Sequence, residues 1–137
     1  MTAIELGSGT RNFTCGSGGQ IAVSQAIANV TGDYEGLLIY NPTGIPIFEL
    51  YNASTGEHLG AVWLEMRRPA PTMVPASTPD TLALARWQIM RITGSLPIVG
   101  FVTRTNTTGG KAPAPCEPAG ALLAVPYTAT YTFYACQ

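Results

Sequence analysis

The segment Tyr127-Thr-Ala-Thr-Tyr-Thr-Phe-Tyr-Ala restricts the fold more than any other part of the chain. Tyr127, Ala129, Tyr131, Phe133 and Ala135 fall on one side of a period-2 pattern, and Thr128, Thr130, Thr132 and Tyr134 on the other. Such alternation of aromatic and β-branched residues marks a half-buried strand, with the aromatic face closing a core and the threonine face meeting water. Other apolar stretches are equally short and bounded by turn residues. GLLIY at 36–40 ends in an Asn-Pro-Thr-Gly turn. Residues 45–51, 59–66 and 98–105 also read as strands, with Pro46 at a strand start or on an edge because it has no N–H to donate. Residues 52–57 connect two of them as a hairpin.

Three segments are less regular. Residues 21–28 fit a strand or a short helix, and 82–93 a strand preceded by at most one helical turn. Residues 67–81 hold four prolines and no period, so they read as a long surface loop of the kind often kept for function. Seven or eight strands predict an all-β, mostly antiparallel β-sandwich or small closed barrel with long loops. A split at the proline segment would leave two marginal halves, so residues 1–137 are expected to form one domain.

Charged residues make up only 11% of the chain, against about 25% in ordinary globular domains. The net charge is -1, and the one local basic cluster is Arg67-Arg68. This gives no electrostatic basis for a nucleic-acid or anionic-membrane partner. No apolar run approaches the roughly 20 residues of a spanning helix, which excludes helical membrane insertion. The start, MTAIELGSGT, has neither the basic nor the apolar region of a signal peptide. A secreted protein would therefore be represented here by its mature part with a start Met added; the alternative is a cytosolic protein. Four N-x-[ST] triplets, at Asn12, Asn29, Asn52 and Asn106, tilt the reading towards an extracellular glycoprotein. The cysteines are Cys15, Cys116 and Cys136, so at most one internal disulfide forms and one thiol is left over. None is spaced for a redox or zinc pair.

Motifs for chemistry are sparse. Gly109-Gly110-Lys111 lacks the spacing of a phosphate loop and is followed by Ala, so the glycines read as turn residues and Pro113 and Pro115 as an extended exit. The glycine-rich Gly7-Ser-Gly-Thr and Cys15-Gly-Ser-Gly-Gly stretches match no dinucleotide fingerprint and are read as turns. No cofactor or metal is indicated. His58 is the one histidine and has no evident ligand partner, which leaves it as a loop residue or a catalytic base. Glu49 and Glu65 lie inside apolar strand patterns. Held about 5–9 Å apart they would form a glycosidase pair; otherwise they face solvent or pair with Arg86 or Arg91. Trp63, Trp87, Phe48, Phe101, Tyr127, Tyr131 and Phe133 are expected in the core. Tyr34, Tyr40, Tyr51 and Tyr134 are the candidates for a surface that binds a sugar ring or a protein.

The run Arg104-Thr-Asn-Thr-Thr-Gly-Gly-Lys-Ala-Pro-Ala-Pro-Cys, followed by Val125-Pro-Tyr-Thr-Ala-Thr-Tyr-Thr-Phe-Tyr, resembles the signature of the DUF3455 family. Gly7-Ser-Gly-Thr-Arg-Asn-Phe-Thr-Cys is similar to that family's opening, and Pro46-Ile-Phe-Glu to its central element. Two departures stand out: Arg11 replaces a glutamine, and residues 41–45 lack the histidine that many relatives carry before the proline. The resemblance implies a secreted protein without an established activity. A dehydrogenase label borne by some relatives finds no dinucleotide fingerprint here. It also implies that Cys15 pairs with Cys116, leaving Cys136 free or intermolecular. Closing that long loop would add about 4–5 kcal/mol on a chain-entropy argument. Three roles remain in competition. One is a secreted binding or structural domain with a glycan or extracellular protein ligand. The others are a secreted hydrolase built on Glu49, Glu65 or His58, and a self-assembling subunit joined through edge strands or Cys136.

Overall fold

The computed structural model describes residues 2–76, 81–97 and 99–135. Nine strands follow in order: β1 Thr2–Cys15, β2 Ile21–Gly32, β3 Tyr34–Tyr40, β4 Pro46–Asn52, β5 His58–Leu64, β6 Thr72–Val74, β7 Leu84–Ile92, β8 Phe101–Gly109 and β9 Leu122–Tyr134. All pairings are antiparallel, in the order β5-β4-β3-β2-β1-β9-β8-β7-β6. A further pairing of β5 with β7, through Val62–Ile92 and Trp63–Arg91, closes eight of the strands into a ring with β6 laid on β7. The architecture is all-β, and the ring is the barrel-like of the two arrangements expected. A ring of about eight strands has an interior just wide enough to be filled by side chains. No helix among the described residues is long and apolar enough to cross a membrane.

The period-2 reading of 127–135 holds. Tyr127, Ala129, Tyr131 and Phe133 are buried, although Thr132 on the opposite face is buried as well. Phe48 meets Tyr131 and Phe133 edge-to-face, each at 5.0 Å between ring centres, and Val30, Leu38, Leu50, Val62 and Val102 fill the space around them. Each such buried apolar side chain contributes about 1.5–3 kcal/mol. Pro46 starts its strand, opposite Tyr40.

The sequence reading missed β1, where Gly7-Ser-Gly-Thr is the middle of a 14-residue strand rather than a turn. Its glycines mark close approach. A Cβ on Gly7 would stand 2.6 Å from the Tyr131 ring, and one on Gly9 2.0 Å from the Ile27 carbonyl oxygen. The inner side of β1 is kept small at Gly7, where the Tyr131 ring crosses it, and at Gly9, where the β2 backbone approaches. The turn reading is correct for residues 16–20, which form a short 3-10 turn over Ser17–Gly19. Residues 21–32 are one strand, 84–92 form a strand with no helical turn before it, and the proline segment carries the short β6. Residues 103–109 continue β8 past a bulge between Thr105 and Thr108, where Asn106 has φ 48°. The stretch read as a stapled connection is therefore strand in its first half.

Cys15 and Cys116 form a disulfide, both fully buried and 101 residues apart in sequence. Cys136 lies outside the described residues. Replacing both paired cysteines with alanine is expected to lower the unfolding free energy by about 2–5 kcal/mol. Urea unfolding at matched pH checks this, together with intact-mass analysis showing one native disulfide and one alkylatable thiol.

Candidate ligand-binding cleft

The disulfide gathers one end of the ring. Cys116 N–H donates to Gly19 O at 2.9 Å, Cys15 N–H to Ala121 O at 2.9 Å, and Gly120 N–H to Cys15 O at 2.7 Å. These bonds hold residues 111–116 beside the 3-10 turn as one wall of a cleft. The other wall is β6 with residues 81–83 that lead into β7, anchored by Leu82 N–H to Gly109 O at 3.0 Å and by the Thr107 hydroxyl to Leu82 O at 2.6 Å. The cleft has a volume of about 780 Å³, with Phe13 and Ala83 on its lining and Ile21, Met73 and Val74 among its apolar sides. That falls within the roughly 300–1,000 Å³ of small-molecule sites, and the mostly apolar lining is typical of them.

Beneath it lies a polar cluster inside the ring. Arg104 on β8 sits between Ala85 of β7 and Tyr131 of β9 and is only 4% exposed. Its Nε and Nη2 both donate to Ala83 O, at 3.1 and 2.8 Å, and its guanidinium lies 5.2 Å from the Trp87 ring centre. Arg11 on β1 donates from Nη1 to the Tyr40 hydroxyl at 3.2 Å and from Nη2 to the Ser24 hydroxyl. It stands 5.8 Å from the centre of the Phe13 ring. The Tyr127 and Tyr131 hydroxyls bond each other at 2.9 Å. Burial lowers the Arg104 pKa and the Arg11 charge acts in the same direction, while burial pushes Tyr131 well above the ordinary phenol value. Among the described residues neither arginine forms an ion pair with a carboxylate.

Of the sequence-predicted catalytic candidates, Glu49 and His58 meet and Glu65 lies apart. His58 Nε2 lies 2.7 Å from Glu49 Oε2 at the bulge joining β4 to β5, with the Tyr51 ring against the imidazole. Glu65 stands alone, accepting Arg67 and Arg68 N–H groups at 2.7 and 3.2 Å, which hold its carboxyl below the usual range. Glu49 faces Ala61, four residues before Glu65. At about 3.3 Å per residue this puts the two roughly 13 Å apart along the strand, beyond the ~5–9.5 Å of glycosidase pairs. Neither pairs with Arg86 or Arg91, which instead cover Phe101 and Trp63 at 4.3 and 4.2 Å.

Tyr34 and Tyr40 pack partly against the core, and Tyr134 stacks on Phe101 at 4.5 Å, so the four tyrosines form no common surface. Asn29 and Asn106 are exposed. Asn12 accepts from the Thr10 hydroxyl, and Asn52 from the Ser54 and Thr55 N–H groups. No group of three or more His, Cys, Asp or Glu among the described residues is placed to hold a metal.

The family model described as "Protein of unknown function (DUF3455)" matches residues 1–135. The chain belongs to the DUF3455 family. No curated protein and no solved structure matches it. In this DUF3455 chain the residues around Gly7 and Cys15, which carry the family opening, are structural: they pass beneath Tyr131 and form the disulfide corner.

Sequence reasoning also missed Glu5, which is fully buried on β1. Its Oε1 accepts Tyr34 N–H at 2.6 Å, while Oε2 has no partner. Desolvation raises its pKa to about 7, with Asp33 and Glu35 adding in the same direction. A raised folded-state pKa gives stability that is complete below about 4.5 and is lost as pH rises through 7. Between pH 5 and pH 8 the native protein is expected to lose about 2 kcal/mol more stability than Glu5→Gln does. Chemical denaturation of both proteins at the two pH values checks the sign and the size.

Proposed function

We propose that this chain is a secreted binding domain that takes an apolar small molecule in the cleft at its disulfide end. The observation that carries the reading is the cleft: about 780 Å³, mostly apolar, with one wall fixed by the Cys15–Cys116 corner. A fixed wall lowers the ordering cost of binding. A hydrolase is less well supported, because Glu49 and Glu65 are apart and Glu65 is shifted towards the ionised form, opposite to what a general acid needs. Self-assembly through strand edges is less well supported, because ring closure leaves few edges to pair.

The neutral probe 1-aminoanthracene is expected to gain fluorescence on titration with the protein. Ala112→Trp, which fills the cleft from residues 111–114, is expected to weaken that binding about tenfold or more. Unchanged binding by the variant would place the probe elsewhere and end the assignment.

The extracellular compartment is supported by the buried disulfide, by the low charge, and by exposed sequon asparagines at 29 and 106. Protein from its native source, treated with an endoglycosidase that removes N-linked glycans, is expected to lose mass in steps that map to Asn29 or Asn106. An unmodified mass with three reduced cysteines would contradict secretion.

A further inference from the structure

The ring is closed unevenly. β2 pairs with β1 from Ile21 to Gly32, but with β3 only at Ala28, Asn29 and Val30. Its first part, Ile21-Ala-Val-Ser-Gln-Ala-Ile, therefore has a strand on one side alone, and no described residue bonds its backbone on the other. Ile21, Ala22, Val23 and Ser24 are all exposed, as expected where a sheet lacks its next strand.

Proteins guard such edges with charges, proline or very short strands. β6, also paired on one side only, is guarded in this way: it is three residues long and flanked by Pro71 and Pro75. Residues 21–27 carry no charge and no proline. Two separate features of this edge centre on Ser24. The free stretch runs from the start of the strand to the residue before the β3 ladder, and Ser24 is its midpoint. The sequence also reads nearly the same in both directions about Ser24: Ile21 matches Ile27, Ala22 matches Ala26, and Val23 stands against Gln25.

We propose that this edge docks a second copy of the chain, β2 against β2, antiparallel about a two-fold axis at Ser24. Isoleucine then meets isoleucine and alanine meets alanine, and no like charges are brought opposite each other. Backbone groups that lack a partner in one copy find one in the other. The register shift between Thr14 and Cys15 on β1 lies at the outer end of the pairing, away from the axis. A two-fold pair uses the same edge on both copies and closes with two chains. It is a dimer of binding domains, distinct from a growing assembly, which would need a second edge. The inference does not rest on the cleft, although Ile21 borders both.

Sedimentation equilibrium of the native chain is expected to give twice 14.4 kDa at about 100 μM and dissociation on dilution, the behaviour of a small interface. Val23→Lys combined with Gln25→Lys sets lysine against lysine wherever positions 23 and 25 meet, and is expected to weaken the dimer about tenfold or more. Val23→Lys combined with Gln25→Glu sets opposite charges there and is expected to recover the dimer. Both positions alternate with the buried Ala26 and stand on the outer face, and circular dichroism reports that each variant is folded. A native chain that stays monomeric at the highest concentration would overturn the proposal and leave the edge to a strand from another protein. A dimer unchanged by the two lysines, or lost equally in both charge variants, would overturn the pairing through β2.

Discussion

The ring depends on the two glycines, Gly7 and Gly9, in the middle of the inner face of β1. β1 pairs with β2 on one side and β9 on the other, along nearly its full length. It is the strand that joins the first half of the chain to the last. If it carried ordinary side chains at 7 and 9, the Tyr131 ring and the β2 backbone would be displaced. With glycine there, Tyr131 spans the interior and meets Phe48 from β4, on the far side of β2 and β3. An aromatic pair of this kind ties strands that are not neighbours in the sheet, and edge-to-face packing adds about 0.5–1.5 kcal/mol beyond area burial. The glycines lose conformational entropy for this, roughly 0.5–1 kcal/mol each against alanine. The ring contacts they allow outweigh that loss.

A chain with so few charges makes the position of each one informative. Arg86 and Arg91 lie on outer aromatic faces, and Glu65 caps its own turn, as solvated charges do. Arg11, Arg104 and Glu5 are the exceptions. The acid and the bases are kept in different surroundings inside the same ring: Glu5 beside Tyr34 and Gly32, the arginines beneath the cleft. Pairing them would have given a neutral interior. Keeping them apart leaves an acid with a raised pKa on one side and, among the described residues, positive charge with no paired carboxylate on the other. Neither arrangement is the most stable one available to a domain of this size, where one or two kcal/mol matter. The arginines adjoin the apolar cleft through Ala83 and Phe13, so two of the three enclosed charges lie next to its lining.

How far the sequence led depended on whether side-chain alternation was visible. Residues 127–135 alternate cleanly and fall on β9, which begins five residues earlier at Leu122 and ends at Tyr134. Residues 45–51 and 59–66 carried enough apolar content to be read as strands despite Pro46 and Gly60. β1 could not be read in this way, because glycine at an inward position looks the same as glycine in a turn until the partner strand is known. Loss of β1 concealed Glu5 and Arg11 together. Arg104 was legible in principle: it alternates with Val102, on the face that the period assigns to the interior. The contact between two of the catalytic candidates was hidden for a different reason. Glu49 and His58 do meet, but across a hairpin bulge that shifts register, and no spacing rule would have brought them together.

The two walls of the cleft are held by unlike means, and this bears on how a ligand would be accommodated. The wall at 111–116 hangs from a covalent bond and from backbone bonds to Gly19 and Cys15. The facing wall includes β6, three exposed residues paired with β7 on one side only. Elements with few buried contacts and little pairing open at lower free energy than the ring they border. The fixed wall would thus set the position of an apolar ligand relative to Phe13, while the β6 wall could adjust to its size. An entry that yields on one side and is rigid on the other suits apolar ligands that differ in size.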